Sequence, residues 1–406
     1  MPPEDGGRTG TEREHGAGAV GQLAVVPGPV VPEPSSVPLR RGEDHGGVST
    51  SAPPPARGGV RGVLAALVRP SPSPPRLGIS VQAGIAMLLT LGLPALAGRT
   101  DLGLLASTGA LSALYLSARS RRERLRRLPL VQAGLLASIA LGALTRGDPV
   151  AAPLVLVVVG IGAVVLVTGT AVGPPGALFP VLGAGVAARL TGPRSGGGAG
   201  LDPLLVIGCA IGGAVLAYLV VVAPLVVPAV RRSDRARPIA PVRFALDPAG
   251  RTVVVWVSVA VVIAALLAAV LGIDRGYWVV VAVVSVLQGG RGRRVTTVRA
   301  VHRAGGTLVG AGLFVLIATV IGLPAQGLAL AVVLALLQFG AEMVIVAHYG
   351  AGLLFVTPLA LLIAEAGSAG DPWTIAGTRV LDTAIGCAIA LVVLVVDHQV
   401  ARLRRR

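Results

Sequence analysis

From residue 77 to residue 397 the chain is a near-continuous succession of apolar stretches, and several are long enough to cross a membrane. About 20 residues at 1.5 Å rise traverse a hydrocarbon core of about 30 Å. Val150–Val172, Leu204–Val227, Thr252–Leu271 and Ile375–Val396 reach that length outright. None shows the alternating polarity of a barrel strand, so the spans are expected to be helices. Twelve are marked out by the apolar pattern: 77–97, 102–118, 128–145, 150–171, 175–190 and 202–228, then 252–272, 276–289, 304–322, 325–341, 343–364 and 375–397. A shift of 172 positions lays Arg119, Arg121, Arg122, Arg127, Gly134 and Leu136 on Arg291, Arg293, Arg294, Arg299, Gly306 and Leu308. The same shift lays 202–227 on 374–399. The expected fold is therefore an all-α membrane protein of about 12 transmembrane helices, built as two parallel six-helix repeats. Six is an even number, so the second repeat starts on the same side as the first.

Charge placement fixes the expected orientation. The net charge is +16 and the cations are all arginine. They gather in loops after even-numbered spans: Arg119–Arg127, Arg231–Arg243, Arg291–Arg303 and the C-terminal Arg402–Arg406. The positive-inside rule then places both termini in the cytoplasm, in a bacterial inner membrane. Aromatic residues make up 3% of the chain, too few for stacking on single-stranded nucleic acid, so no nucleic-acid partner is expected. The expected partners are the lipid bilayer and a small organic anion, and the sequence leaves room for a homo-oligomer. Residues 1–75, with Pro53-Pro54-Pro55 and Pro70-Ser71-Pro72-Ser73-Pro74-Pro75, read as a disordered cytoplasmic tail. Val60–Val68 within it is the one patch apolar enough for a short interfacial helix. The remaining division is 76–230 for the first membrane repeat, 231–251 for a cytoplasmic linker, 252–400 for the second repeat and 401–406 for a basic tail.

No catalytic arrangement is recognisable and the chain is not read as an enzyme. Cys209 and Cys387 stand alone in apolar spans, without the Cys/His clustering of a metal site, so neither metal nor cofactor is expected. A phosphate loop of the GxxxxGK[ST] kind needs a lysine that this chain lacks.

The richest motif is Tyr277-Trp278 followed by Arg299-Ala-Val-His302-Arg303-Ala-Gly305-Gly306-Thr307-Leu-Val-Gly310. Arg299, His302 and Arg303 fall on one helix face, and Gly306 and Gly310 make a small-xxx-small step for a close helix crossing. The six residues Tyr277, Trp278, Arg299, His302, Arg303 and Thr307 are the candidate anion-binding set, the alternative being arginines that only set topology. Glu342 and His348 are a carboxylate and an imidazole near membrane depth, which makes them the candidates for proton coupling. Arg379 and Asp382, at i and i+3, are expected to form a structural ion pair or a gate. Glycine and proline in 173–185 and in 350–358 mark two corresponding spans as candidates for broken helices.

The order Tyr-Trp, then R-x-x-x-R-x-x-G-T-x-x-G, then Arg379-Val-Leu-Asp382-Thr383-Ala-Ile-Gly386 resembles the fusaric acid resistance protein family, which includes aromatic acid exporters. That resemblance covers about residues 77–400. It implies efflux of organic, often aromatic, acids with proton coupling, and the two parallel halves point to alternating access. The alternatives are an organic-anion channel and a non-transporting membrane scaffold for an envelope system.

Overall fold

A computed structural model describes residues 67, 69–71, 73, 76–235, 239, 243–289, 292–323, 325–365 and 370–403. The expected disordered tail and the patch at Val60–Val68 fall outside them, apart from residues 67, 69–71 and 73. Thirteen α-helices lie among the described residues. The first six are α1 (Leu77–Leu96), α2 (Thr100–Ala110), α3 (Arg121–Leu144), α4 (Ala151–Thr170), α5 (Leu178–Thr191) and α6 (Pro203–Val222). A short α7 (Pro228–Arg235) sits in the expected linker. There follow α8 (Pro248–Val270), α9 (Tyr277–Leu287), α10 (Arg293–Ile321), α11 (Gly327–Val344), α12 (Tyr349–Glu365) and α13 (Pro372–Leu403).

Each of the twelve apolar segments contains a helix, but eight rather than twelve helices are long and apolar enough to cross a membrane. The four that fall short are α2, α5, α9 and α12. Hydropathy overcounts here because it does not register where the backbone turns. After α2 the chain tightens into a 3-10 helix at Leu111–Leu114, and Leu116 takes a positive φ of 58°. The Gly173-Pro174-Pro175-Gly176 turn precedes α5 instead of breaking it, and α12 runs unbroken through Pro358. An 11-residue helix such as α9 rises about 16 Å, roughly half the hydrocarbon thickness. Such a short element is tolerated at membrane depth when protein surrounds it. That condition is met, since every residue of α9 from Tyr277 to Val286 is buried.

The long helices present the opposite character. Val158 and Leu166 on α4, Leu219 on α6, Leu266 on α8, Leu308 and Leu316 on α10, and Leu336 on α11 are all exposed. Large apolar side chains turned outward on so many helices are a liability in water and the expected surface in lipid. Several helix starts are fixed by acid or serine caps, which satisfy amide groups that a helix leaves free in its first turn. Asp247 accepts from Gly250 at 2.6 Å, Asp202 from Leu204 at 3.2 Å and Ser120 from Glu123 at 3.2 Å. In the loop before α4, Asp148 accepts from the amides of Ala151 and Val150, which hold its carboxyl below the usual range.

Packing is by defined pairs. In the first set α1 lies on α2 and α6, α2 on α6, α3 on α5 and α6, and α4 on α5. In the second set α8 lies on α9 and α13, α9 on α13, α10 on α12 and α13, and α11 on α12. Between the sets α1 meets α11, α4 meets α8, α5 meets α9 and α2 meets α12. The glycine step on α10 does what its spacing predicts. A Cβ on Gly306 would stand 2.7 Å from the Gly350 carbonyl oxygen, and one on Gly310 would stand 2.7 Å from that of Leu353. Only hydrogen there lets α10 and α12 approach so closely.

Candidate functional site

The buried helix α9 has an arginine stacked on an aromatic ring at each end. At its C-terminal end the last carbonyls have no helical partner. Arg299 of α10 caps one of them, donating from Nη2 to the Ser285 carbonyl at 2.9 Å. Its guanidinium also lies 4.1 Å from the centre of the Tyr349 ring. At the N-terminal end of α9, the Arg379 guanidinium from α13 lies 3.7 Å from the centre of the Trp278 ring. Such cation–π contacts strengthen when desolvated, and Arg379 is only 3% exposed.

Between these two ends lies Arg303, one helical turn beyond Arg299 and 2% exposed. Its Nη1 donates to the Tyr349 hydroxyl at 3.4 Å, and its Nε has no hydrogen-bond partner among the described residues. Arg379 likewise has Nε and Nη1 unpartnered. The hydroxyls of Thr307 on α10, Thr357 on α12 and Thr383 on α13 are buried without a partner, as are the Tyr277 hydroxyl and the Trp278 Nε1. Arg303 and Arg379 are close enough for their charges to repel, while the charge of Asp382 attracts Arg379. The expected helix-face ion pair is not formed: no hydrogen bond or salt bridge joins Arg379 to Asp382. The long side chain instead crosses to the indole on α9.

In the first half the buried polar groups are better satisfied, although Gln82 Nε2 and Arg124 Nε are without a partner among the described residues. Gln132 donates its amide to Ser112 Oγ at 2.9 Å and to the Ala214 carbonyl at 2.7 Å. Arg121 donates to Gln82 Oε1 at 2.8 Å and to the Val221 carbonyl at 3.0 Å. Most of the buried polar side-chain atoms without a partner therefore lie in the second half. A buried N–H or O–H left unpaired costs free energy, so a cluster of them favours any ligand able to accept several hydrogen bonds at once.

The remaining sequence candidates go elsewhere. His302 does not join the arginines in this cluster. It stacks with His348 at 4.7 Å between ring centres, and the Nε2 atoms of both lie near the Leu67 carbonyl, at 3.1 and 2.8 Å. Because His348 Nδ1 accepts from the Ala351 amide at 3.0 Å, the neutral ring carries its proton on Nε2 and donates it to Leu67. Glu342 is not linked to His348. Its carboxylate pairs with Arg76 at 2.6 Å, and Arg76 Nε also donates to the Glu342 carbonyl at 2.9 Å. Both candidate coupling residues thus hold the segment leading into α1.

Sequence reasoning assigned no role to Tyr349, Thr357, Thr383 or Arg76. Of these only Thr383 had a signal, standing inside the R-x-x-D-T-x-x-G run. Among the described residues no group of three or more His, Cys, Asp or Glu side chains is arranged to hold a metal. No curated protein and no solved structure matches the chain. Residues 262–393, from within α8 to within α13, which supply the arginines, aromatics and threonines of the cluster, match the family model described as fusaric acid resistance protein-like.

Proposed function

We propose that this multi-span membrane protein exports organic acids, aromatic ones among them, by alternating access. The observation that carries the proposal is Arg379, buried over Trp278 with two N–H groups unpartnered and Arg303 nearby. Two guanidiniums beside one carboxylate leave positive charge over, and an intramembrane charge is costly enough to need a reason. An incoming carboxylate would accept from the free N–H groups of Arg303 and Arg379, with Thr307, Thr357 and Thr383 supplying further hydroxyls. An aromatic substrate ring would find Trp278 and Tyr277 beside it. The Arg299–Tyr349 pair at one end of α9 and the Arg379–Trp278 pair at the other are suited to serve as inner and outer closures.

The two-repeat reading supports the alternating mechanism. The six packing pairs of α1–α6 named above have counterparts in α8–α13, and the four pairs named between the sets exchange with one another, while α3 on α4, α5 on α6 and α4 on α9 have none as extensive. The four short helices occupy the second and fifth places of each set. A symmetric arrangement of this kind lets one half rock against the other about a shared site.

Flux into inside-out vesicles tests the function. With a panel of aromatic and aliphatic acids, accumulation of an aromatic acid under a pH gradient, together with exchange in its absence, is the expected result. Current that follows the membrane potential, with neither exchange nor accumulation, would establish the channel instead. Absence of any flux across the panel would favour the scaffold.

The same reading places both termini in the cytoplasm. Supporting it, two arginine-bearing segments meet where Asp234 of α7 accepts from the backbone amides of Arg121 and Arg122 at the start of α3. Reporter fusions after Arg127, Arg243 and Arg406 are expected to read cytoplasmic, and fusions after Asp148 and Asp274 to read external. One external result in the first group would overturn the orientation.

A further inference from the structure

At the arginine-rich end of the first half, the start of α3, the end of α6 and the helix α7 border an open cavity of about 520 Å³. We propose that it binds the phosphate headgroup of an anionic phospholipid. Arg122, Arg231 and Arg235 line it, along with Leu125, Leu225 and Val226. Arg231 and Arg235 are four residues apart on α7 and so share one face. None of the three guanidiniums has a hydrogen-bond or ion-pair partner among the described residues.

The nearby carboxylates are engaged elsewhere. Asp234 is buried and accepts from the amides of Arg121 at 3.0 Å and Arg122 at 2.6 Å. A carboxylate at a helix N-terminus is stabilised there by the free amides and the dipole, and this one also fixes α7 against α3. Glu123 is held by Arg127 and, at 3.8 Å, by Arg119. The cavity therefore has a cationic rim with no acid in its lining.

Its remaining walls are apolar and outward-facing, Val226 being 81% exposed. A free phosphate or a soluble acid would satisfy the rim and leave that wall unused. A phospholipid satisfies both, its headgroup on the arginines and its chain along Leu125, Leu225 and Val226. Basic pockets between membrane helices are suited to anionic headgroups for this reason.

The test compares lipids that share a phosphate and differ in net charge. The full-length chain is released from micelles containing phosphatidylglycerol or phosphatidylcholine, and the retained lipid is measured by native mass spectrometry. Each arginine near an anionic headgroup contributes about fivefold, so three give a preference of about a hundredfold for phosphatidylglycerol. The combined Arg122→Gln, Arg231→Gln and Arg235→Gln variant is expected to lose most of it, while the matching triple lysine variant, which preserves charge, retains it. Should the triple glutamine chain insert poorly, Arg231→Gln alone is expected to weaken the preference about fivefold. Equal retention of the two lipids by the unaltered chain would overturn the proposal, as would an undiminished preference in the glutamine variants. Displacement of phosphatidylglycerol by inorganic phosphate at equal concentration would reassign the cavity to a soluble anion.

Discussion

Arg379→Met is expected to lower organic-acid transport roughly 10–100-fold while leaving the thermal stability of the protein equal or higher. The two effects have opposite signs because the guanidinium is unpaired as well as buried. Burying a charge without a hydrogen-bonded partner costs free energy, and an apolar side chain of similar volume removes that cost. In the resting protein Arg379 has the Trp278 face and the charge of Asp382 to offset its burial, while its Nε and Nη1 have no partner. A substrate carboxylate would add a charge-assisted hydrogen bond, typically about 1.5–3 kcal/mol, which sets the size of the transport loss. Arg303→Gln is expected to act in the same direction, through its free Nε. The measurements are initial rates of vesicle uptake at equal amounts of inserted protein and a melting curve in detergent. A variant that melts early and transports normally would make Arg379 a structural residue and end its role in the site.

The long helices could be read from the sequence because a continuous apolar run and a transmembrane helix obey the same length rule. The short ones were also readable in position, and the apolar segments 175–190 and 276–289 are already short, whereas 102–118 runs well past the helix Thr100–Ala110. Leu111–Leu116 is as apolar as a helix interior, yet its backbone turns, and composition carries no record of that. The arginines of α10 were found through their spacing on one helix, which is local information. Spacing misled at Arg379 and Asp382, where proximity on a helix face implied a pair. The flexible arginine instead reaches an aromatic ring on α9, and only the tertiary packing of α9 on α13 determines that. The same limit applied to His302 on α10 and His348 just before α12, 46 residues apart, and to Glu342, whose partner Arg76 lies 266 residues earlier. Each of these side chains was singled out for its chemistry, while its partner was set by the fold.

Glu342→Gln is expected to abolish gradient-driven export while exchange continues, if proton coupling runs through this carboxylate. The Arg76–Glu342 pair is nearly buried, with side chains 12% and 10% exposed. Removing one member of such a pair commonly costs about 3–5 kcal/mol, because the other charge is left without compensation. A purely structural pair would therefore show a general loss, with export, exchange and stability falling together. Glutamine separates the cases better than alanine, since its side-chain oxygen still accepts from Arg76 while the titratable proton is gone. Combining Arg76→Met with Glu342→Met removes both charges and gives a second discrimination. If the pair serves only to anchor the segment entering α1, the double variant recovers stability and every mode of transport relative to Arg76→Met alone. If Glu342 carries the proton, the double variant recovers stability and exchange but not accumulation against a gradient. Unchanged uphill export in Glu342→Gln would remove the carboxylate from the coupling scheme. The remaining titratable candidates at that end would then be the stacked His302 and His348, whose shared contact with Leu67 ties the same segment to α10 and the start of α12.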